Sequence, residues 1–300
     1  MMAEQVQEAL ADPKKLPDLA EAALEAAKRV SPYNYFTALD ELLPQRAEAL
    51  AKLGRGGRLF GVIIAVKDNI DVAGLPTTNG APYAKSLPRT TAPVVKALEA
   101  EGALVLGKTN MHELALGVTN LNPHFGPARN PRDPARITGG SSGGSAGAVA
   151  LGVVPLALAT DTGGSIRIPA ALCGVVGYKP PYGELPLEGV RPLAPTLDHV
   201  GFLTRSAADA AYVASALKSL MLEAPKRFKF AVLEGVGEPD EYVEKAFWAG
   251  VSALETAGGE REEVPVDVKA FSSARAAILL AEAASVHWQN LKLHGGEMGR

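Results

Sequence analysis

Residues 137–177 read ITGGSSGGSAGAVALGVVPLALATDTGGSIRIPAALCGVVG, and the reading of this stretch decides the fold. Two Gly-Gly-Ser turns bracket one apolar run, which supplies a short helix from Ala146 and a buried strand ending near Thr160. Such a strand returns the second turn towards the first, so Ser141 and Ser165, twenty-four positions apart, face one region. Glycine allows backbone angles closed to other residues and a close approach to a ligand, so each turn can aim several N–H groups at one spot. That arrangement suits an oxyanion.

Three other readings of the stretch compete. A flexible Gly-Ser linker joins domains, whereas this one runs straight into strongly apolar sequence. A phosphate cradle at the start of the helix from Ala146 accounts for the glycines, and would make the protein a phosphotransferase. The Walker pattern is nevertheless absent, because no Gly-Lys-Ser or Gly-Lys-Thr follows. Gly140-Ser141-Ser142-Gly143-Gly144 fits the G-x-S-x-G elbow, which requires a strand before the serine, but residues 130–138 are rich in Pro and Arg and read as loop.

Upstream, residues 6–52 are rich in Ala, Leu and Glu with breaks at Pro13, Pro17, Pro32 and Pro44, and predict a wrap of short helices. Residues 59–66 (LFGVIIAV) form a β-branched run suited to a buried strand that delivers Lys67, Asp68 and Asn69 at its end, where ligands of open α/β sheets gather. Residues 92–102 predict a helix and 103–107 a strand. Downstream, residues 180–198 form a proline-rich loop of the kind that walls a pocket. Ser206-Ala207-Ala208-Asp209 caps a helix running to about residue 220. Strands follow at 228–233 and 264–268, and helices at 239–257 and 272–292. The expected fold is α/β: an N-terminal helical wrap over 1–57, then over 58–300 a single domain with a central mixed sheet covered by helices.

The chain has 300 residues, 47% apolar and 21% charged, with a net charge of −3. That balance gives no general attraction to nucleic acid or anionic membrane and leaves a small molecule as the expected partner. The start shows no basic segment followed by an apolar core, and the longest apolar run, 148–159, contains Gly152 and Pro155 and is too short to span a bilayer. Cys173 is the only cysteine, which fits a reducing, cytoplasmic setting and a buried core residue. His112-Glu113 suggests zinc, but position 116 is leucine, so H-E-x-x-H fails, and no metal or other cofactor is expected.

These pieces resemble the amidase signature family. The resemblance is carried by GVIIAVKDNIDVAGLPTTNGAP from Gly61, EGALVLGKTNMHELALG from Glu101, NPRDPARITGGSSGGSAGAVA from Asn130, LATDTGGSIRIPAALCGVVGYKP from Leu158 and TLDHVGFLTRSAADAA from Thr196. It implies hydrolysis of a carboxylic amide through a serine acyl-enzyme, with Ser165 as nucleophile, Ser141 as a bridging serine after a cis peptide bond, and Lys67 as base. It also implies an oxyanion hole of N–H groups from Thr162, Gly163, Gly164 and Ser165, with Ser142, Asp161 and Arg167 holding the two loops. Lysine serves as base only when uncharged, and burial supplies that condition; Asp68 is expected to point away from it. The family also includes the ammonia-supplying component of a tRNA-dependent amidotransferase, a glutaminase. Ile168 and His112-Glu113-Leu114 stand where that component has Gln and Asp-Glu-Phe, so the resemblance is to a free-standing amidase, a homodimer being compatible. Family members continue for another hundred residues or more, so the domain is expected to be incomplete at its C-terminus. An inactive scaffold that keeps the pocket is the further alternative.

Overall fold

The computed structural model describes residues 1–54, 56–218, 227–234 and 237–299. Their contacts form two compact units, Met1–Leu220 with Glu282–Arg300, and Met221–Ala281.

The first unit is built on a six-stranded mixed sheet. Its strands are β1 (Phe36–Leu39), β2 (Ile63–Lys67), β3 (Leu104–Thr109), β4 (Leu156–Asp161), β5 (Val176–Tyr178) and β6 (His199–Thr204), in the order β1-β3-β2-β4-β6-β5. β2 runs parallel to both β3 and β4, pairing Val66 with Lys108 and with Leu158, while the outer pairings are antiparallel. β3 and β4 are buried along their whole length, as expected of continuous apolar runs in a covered parallel centre. Helices α1 (Met2–Ala11), α2 (Leu16–Arg29), α3 (Leu43–Leu53), α4 (Pro93–Ala100), α5 (Gly143–Ala150), α6 (Arg167–Cys173) and α7 (Ala207–Lys218) complete the layers. In α2 the buried residues Leu16, Ala20, Leu24 and Ala27 recur at helical spacing and form one apolar face. α7 starts at the expected cap: Asp209 N–H donates to Ser206 Oγ at 3.1 Å, and Met2 N–H donates to Asp209 Oδ1 at 2.7 Å, which docks α1. The end expected near residue 220 lies outside the described residues.

Two sequence expectations are corrected here. The wrap is not wholly helical, because Phe36–Leu39 pairs with β3 and closes the sheet edge. The strand expected over 59–66 begins only at Ile63, because Leu59 and Phe60, both fully buried, lie in a turn that Gly61 completes with φ +75°.

The second unit holds β7 (Phe228–Glu234), α8 (Glu241–Thr256) and β8 (Gly259–Pro265); α9 (Val268–His294) contributes residues to both units. β7 and β8 pair in parallel with each other, so the strands read from 228–233 and 264–268 form their own sheet instead of extending the central one. β8 also begins earlier than its apolar residues suggest, since Glu260, Arg261, Glu262 and Glu263 are strand residues with half-exposed to exposed side chains.

Candidate active site

The site grows from the pleat of β2 and its extension. β2 ends at Lys67, and a turn closed by Ile70 N–H on the Lys67 carbonyl at 3.0 Å carries Asp68 and Asn69, so that Lys67 and Asn69 both reach Thr160 while Asp68 reaches Lys108. On its own side, Asp68 meets the buried Lys108 at 3.3 Å and accepts hydrogen bonds from Thr37 Oγ1, Thr78 N–H and Thr78 Oγ1. Lys67 is fully buried and touches no carboxylate among the described residues. Its Nζ lies 2.7 Å from Ser141 Oγ, 2.8 Å from Thr160 Oγ1 and 3.4 Å from the Thr160 carbonyl.

Burial pushes the Lys67 amine down to about 7, with Asp161 and Asp198 pulling the other way across a distance. Lys108 is also lowered by burial, but Asp68 in direct contact opposes the effect. Two buried lysines on neighbouring strands thus differ in one respect, the carboxylate beside them.

Ser141 follows a cis peptide bond from Gly140, and its carbonyl accepts from His112 N–H at 3.0 Å. Ser165 approaches through its backbone: its carbonyl accepts from Ser142 N–H at 3.2 Å. The Ser165 hydroxyl has no hydrogen-bond partner among the described residues, and the residue is 8% exposed. Ser142 Oγ donates to the Thr160 carbonyl at 3.2 Å, so Ser142 ties the first turn both to β4 and to the second turn.

Asp161 organises the second turn. Its carboxylate accepts from Gly164 N–H at 2.7 Å, from Ile166 N–H at 3.1 Å and from the Arg167 guanidinium at 2.9 and 3.0 Å. Burial pushes the Asp161 carboxyl up, but Arg167 and these N–H donors outweigh it and hold the group below its ordinary value. Of the four N–H groups read as an oxyanion cradle, that of Gly164 is therefore committed to Asp161. Those of Thr162, Gly163 and Ser165 have no acceptor among the described residues. Ile168 packs over both turns, close to Gly139 and Gly164.

The glycines of the first turn have a different use from the one read in the sequence. A Cβ on Gly144 would lie 2.5 Å from the Asn110 carbonyl, and one on Gly147 would lie 2.2 Å from the Tyr35 ring. They let α5 pack against the segments beside β1 and β3. The N–H groups of Ser142, Gly143 and Gly144 are taken by the Ser165 carbonyl, Asn120 Oδ1 and the Asn110 carbonyl. A phosphate cradle needs those donors free, so the phosphotransferase reading is withdrawn.

Three residues have roles that the sequence reading did not assign, although it placed Asn69 in the polar cluster after the strand. Thr160 holds Lys67; Asn69 Nδ2 donates to Thr160 Oγ1 at 3.0 Å; and Asp198 accepts from Thr162 Oγ1 and from Leu193 N–H at 2.9 Å, which fastens the proline-rich loop to the second turn. Glu113 is engaged by Tyr83 and His124, at 2.7 and 2.8 Å. Among the described residues no group of His, Cys, Asp and Glu could hold a metal ion. Cys173 is buried, and burial pushes its thiol up to about 12, as befits a core residue. No helix among the described residues is long and apolar enough to cross a membrane.

A family model described as Amidase matches residues 18–296. An indoleacetamide hydrolase of Pseudomonas syringae pv. syringae is 48% identical over 197 residues, 65% of this chain and 44% of that protein. A glutamyl-tRNA(Gln) amidotransferase chain of Methanosarcina mazei is 39% identical over 283 residues, 87% of this chain and 59% of that protein. The chain thus spans about half the length of these curated relatives. A crystal structure of an amidase superposes with a TM-score of 0.90 at 40% identity, covering 100% of this chain and 71% of that one.

Proposed function

The chain belongs to the amidase family, and we propose that it hydrolyses a small carboxylic amide through an acyl-enzyme on Ser165, with Ser141 as proton relay and Lys67 as base. The observation that carries this reading is the fully buried Lys67 amine, 2.7 Å from Ser141 Oγ and with no carboxylate in contact among the described residues. A serine hydroxyl is a weak nucleophile and needs a base, and an amine near neutrality can be that base at pH 7.

The Ser165 hydroxyl passes its proton to Ser141 Oγ as Ser141 gives its own to Lys67. Ser165 Oγ bonds to the substrate carbonyl carbon, and the oxygen that gains charge faces the N–H groups of Thr162, Gly163 and Ser165. Each such donor is worth about 3 kcal/mol in comparable hydrolases. Collapse breaks the C–N bond, and the proton returns from Lys67 through Ser141 to the leaving nitrogen. Water then takes the place of the amine and releases the acid by the same path. Ser142, Asp161 and Arg167 keep the two turns in register.

The likeness to indoleacetamide hydrolase and the apolar Ile168 over both turns favour a primary amide with an apolar, aromatic acyl group. The single buried cysteine accords with a cytoplasmic setting. A glutaminase role within a tRNA-dependent amidotransferase is the second reading, favoured by the likeness to the Methanosarcina mazei amidotransferase chain. Ammonia release from indole-3-acetamide, phenylacetamide and glutamine, with and without tRNA and partner proteins, decides between them. Turnover of the aryl amides by the protein alone is expected. Release from glutamine alone, dependent on the additions, supports the second reading, and absence of release from every amide overturns both.

A further inference from the structure

Asn69 is 1% exposed and lies in the turn that follows β2, two positions after Lys67. Its Nδ2 donates to Thr160 Oγ1 at 3.0 Å, the oxygen that also receives Lys67 Nζ at 2.8 Å. Its backbone is pinned by Arg191 N–H, which donates to the Asn69 carbonyl at 2.7 Å. Its Oδ1 is buried and has no partner among the described residues. From this we propose that Asn69 is a positioning residue for the Lys67 amine, acting through Thr160. The inference rests on the reading of Lys67 as the base.

The argument is one of counting donors and acceptors. A neutral amine has two N–H donors and one lone pair. The Thr160 carbonyl can only accept, so it takes one N–H. A relay from Ser141 needs the lone pair, so the second N–H must go to Thr160 Oγ1, which must therefore present a lone pair to Lys67. Asn69 occupies another position on that oxygen, holds Thr160 in the rotamer that faces Lys67, and removes one of the directions its hydroxyl could take. It does a second thing. Two donors on one oxygen oppose each other, and the positive end of the Asn69 amide is aimed at the acceptor that an ammonium would want. The negative end has no partner whose charge would cancel the effect. Asn69 thereby counts against the charged form of Lys67, in addition to burial. The other groups that bear on the amine are Asp161 and Asp198, which favour its charge, and His112, whose imidazole burial lowers, with Lys67 acting in the same direction. Asp161 is itself matched by Arg167.

The test reads Lys67 directly. In lysine-labelled protein the 13Cε shift of Lys67, assigned by its loss in Lys67→Met, titrates with a midpoint near 7 in the parent. In Asn69→Leu the midpoint rises by about half a unit, and in Asn69→Asp, where a carboxylate reaches Thr160, by more than about one. On a primary amide at pH 7 the Asn69→Leu protein loses roughly tenfold in kcat with KM within about twofold, and its acid limb moves with the midpoint. A folded Asn69→Leu protein whose midpoint and acid limb match the parent overturns the proposal. Should that variant not fold, the isosteric Asn69→Asp decides by the same midpoint, an unmoved one overturning it. A parent that hydrolyses no amide would defeat the reading of Lys67 as base, while the midpoint would still report on Asn69.

Discussion

Lys67 and Asp68 are neighbours in the chain and face opposite sides of it, so the carboxylate nearest to the amine in sequence pairs with Lys108 instead, at 3.3 Å. The amine is left with two hydroxyls and a carbonyl for company. A salt bridge there would favour the ammonium and remove the uncharged amine that the proposed mechanism needs.

The activity should follow the charge of Lys67. With the amine at about 7, the rate on an amide falls as pH drops through that value, and Lys67→Ala should cost about 10²–10⁴ in kcat. The stability effect has the opposite sense from that of a salt-bridged lysine. Between about 7 and the ordinary lysine value of 10.5 the unfolded chain binds the proton and the folded one does not, so stability rises with pH across that window. At and below pH 7 the buried amine costs of order 4 kcal/mol. Lys67→Met should therefore be inactive yet more stable at pH 7, with a flatter dependence from 7 to 10 in urea unfolding. A Lys67→Met protein that is less stable at every pH would refute the assignment.

Ser165→Ala should abolish turnover and labelling by a fluorophosphonate while leaving the thermal midpoint within about 2 °C, because its hydroxyl holds no hydrogen bond among the described residues. Ser141→Ala should lower kcat about 10²–10⁴-fold. Labelling at an undiminished rate in Ser165→Ala would place the nucleophile elsewhere.

Gly147→Ala should destabilise by about 1–3 kcal/mol or more, since its Cβ would meet the Tyr35 ring at 2.2 Å. Gly250→Ala, where nothing lies within 4 Å, should stabilise α8 by about 0.5–1 kcal/mol. Equal midpoints for the two variants in denaturant unfolding would contradict the packing role given to the first-turn glycines.

Cys173 should be unreactive towards a thiol reagent such as Ellman's at pH 8 until the protein unfolds, because it is buried and its thiol is pushed up to about 12. Stoichiometric reaction within seconds in native buffer would mean that the core opens there.

Much of this was legible in the sequence, for identifiable reasons. Residues 156–159 and 104–107 are continuous apolar runs, which in a parallel centre are the strand signal itself, and the two Gly-Gly-Ser turns flank the first of them. Asp161 and Arg167 were singled out only by the family resemblance, and the structure pairs them around the second turn. The roles of Thr160, Asn69 and Asp198 were hidden because hydroxyls, amides and lone carboxylates carry no spacing signal, even though Asn69 itself was read in the polar cluster after the strand. Their roles arise from which strand lies beside which, and β2 meets β4 only through pairing across some ninety positions of chain. β1 was hidden by its shortness, four residues between a Ser-Pro-Tyr-Asn-Tyr turn and the next helix. The strand at 228–233 was visible, the one read at 264–268 overlaps the observed 259–265 only at its end because residues 260–263 are charged, and the pairing of the two was not visible, since alternation of strand and helix reads the same for one sheet as for two.

The placement of β2 between β3 and β4 has a bearing on the life of the chain before it is folded. While residues 156–161 are not yet seated, Lys67 stands in water as an ordinary ammonium, Ser141 and Ser165 are plain alcohols, and the nascent polypeptide is chemically inert towards amides. On the proposed mechanism the base exists only once β4 lies beside β2, and a leak of solvent along that seam would recharge the amine. A breach too small to melt the molecule would still return the amine to its charged form, so that, if the proposed mechanism holds, turnover would be a finer gauge of how tightly the centre is shut than any spectroscopic measure of helix or strand content.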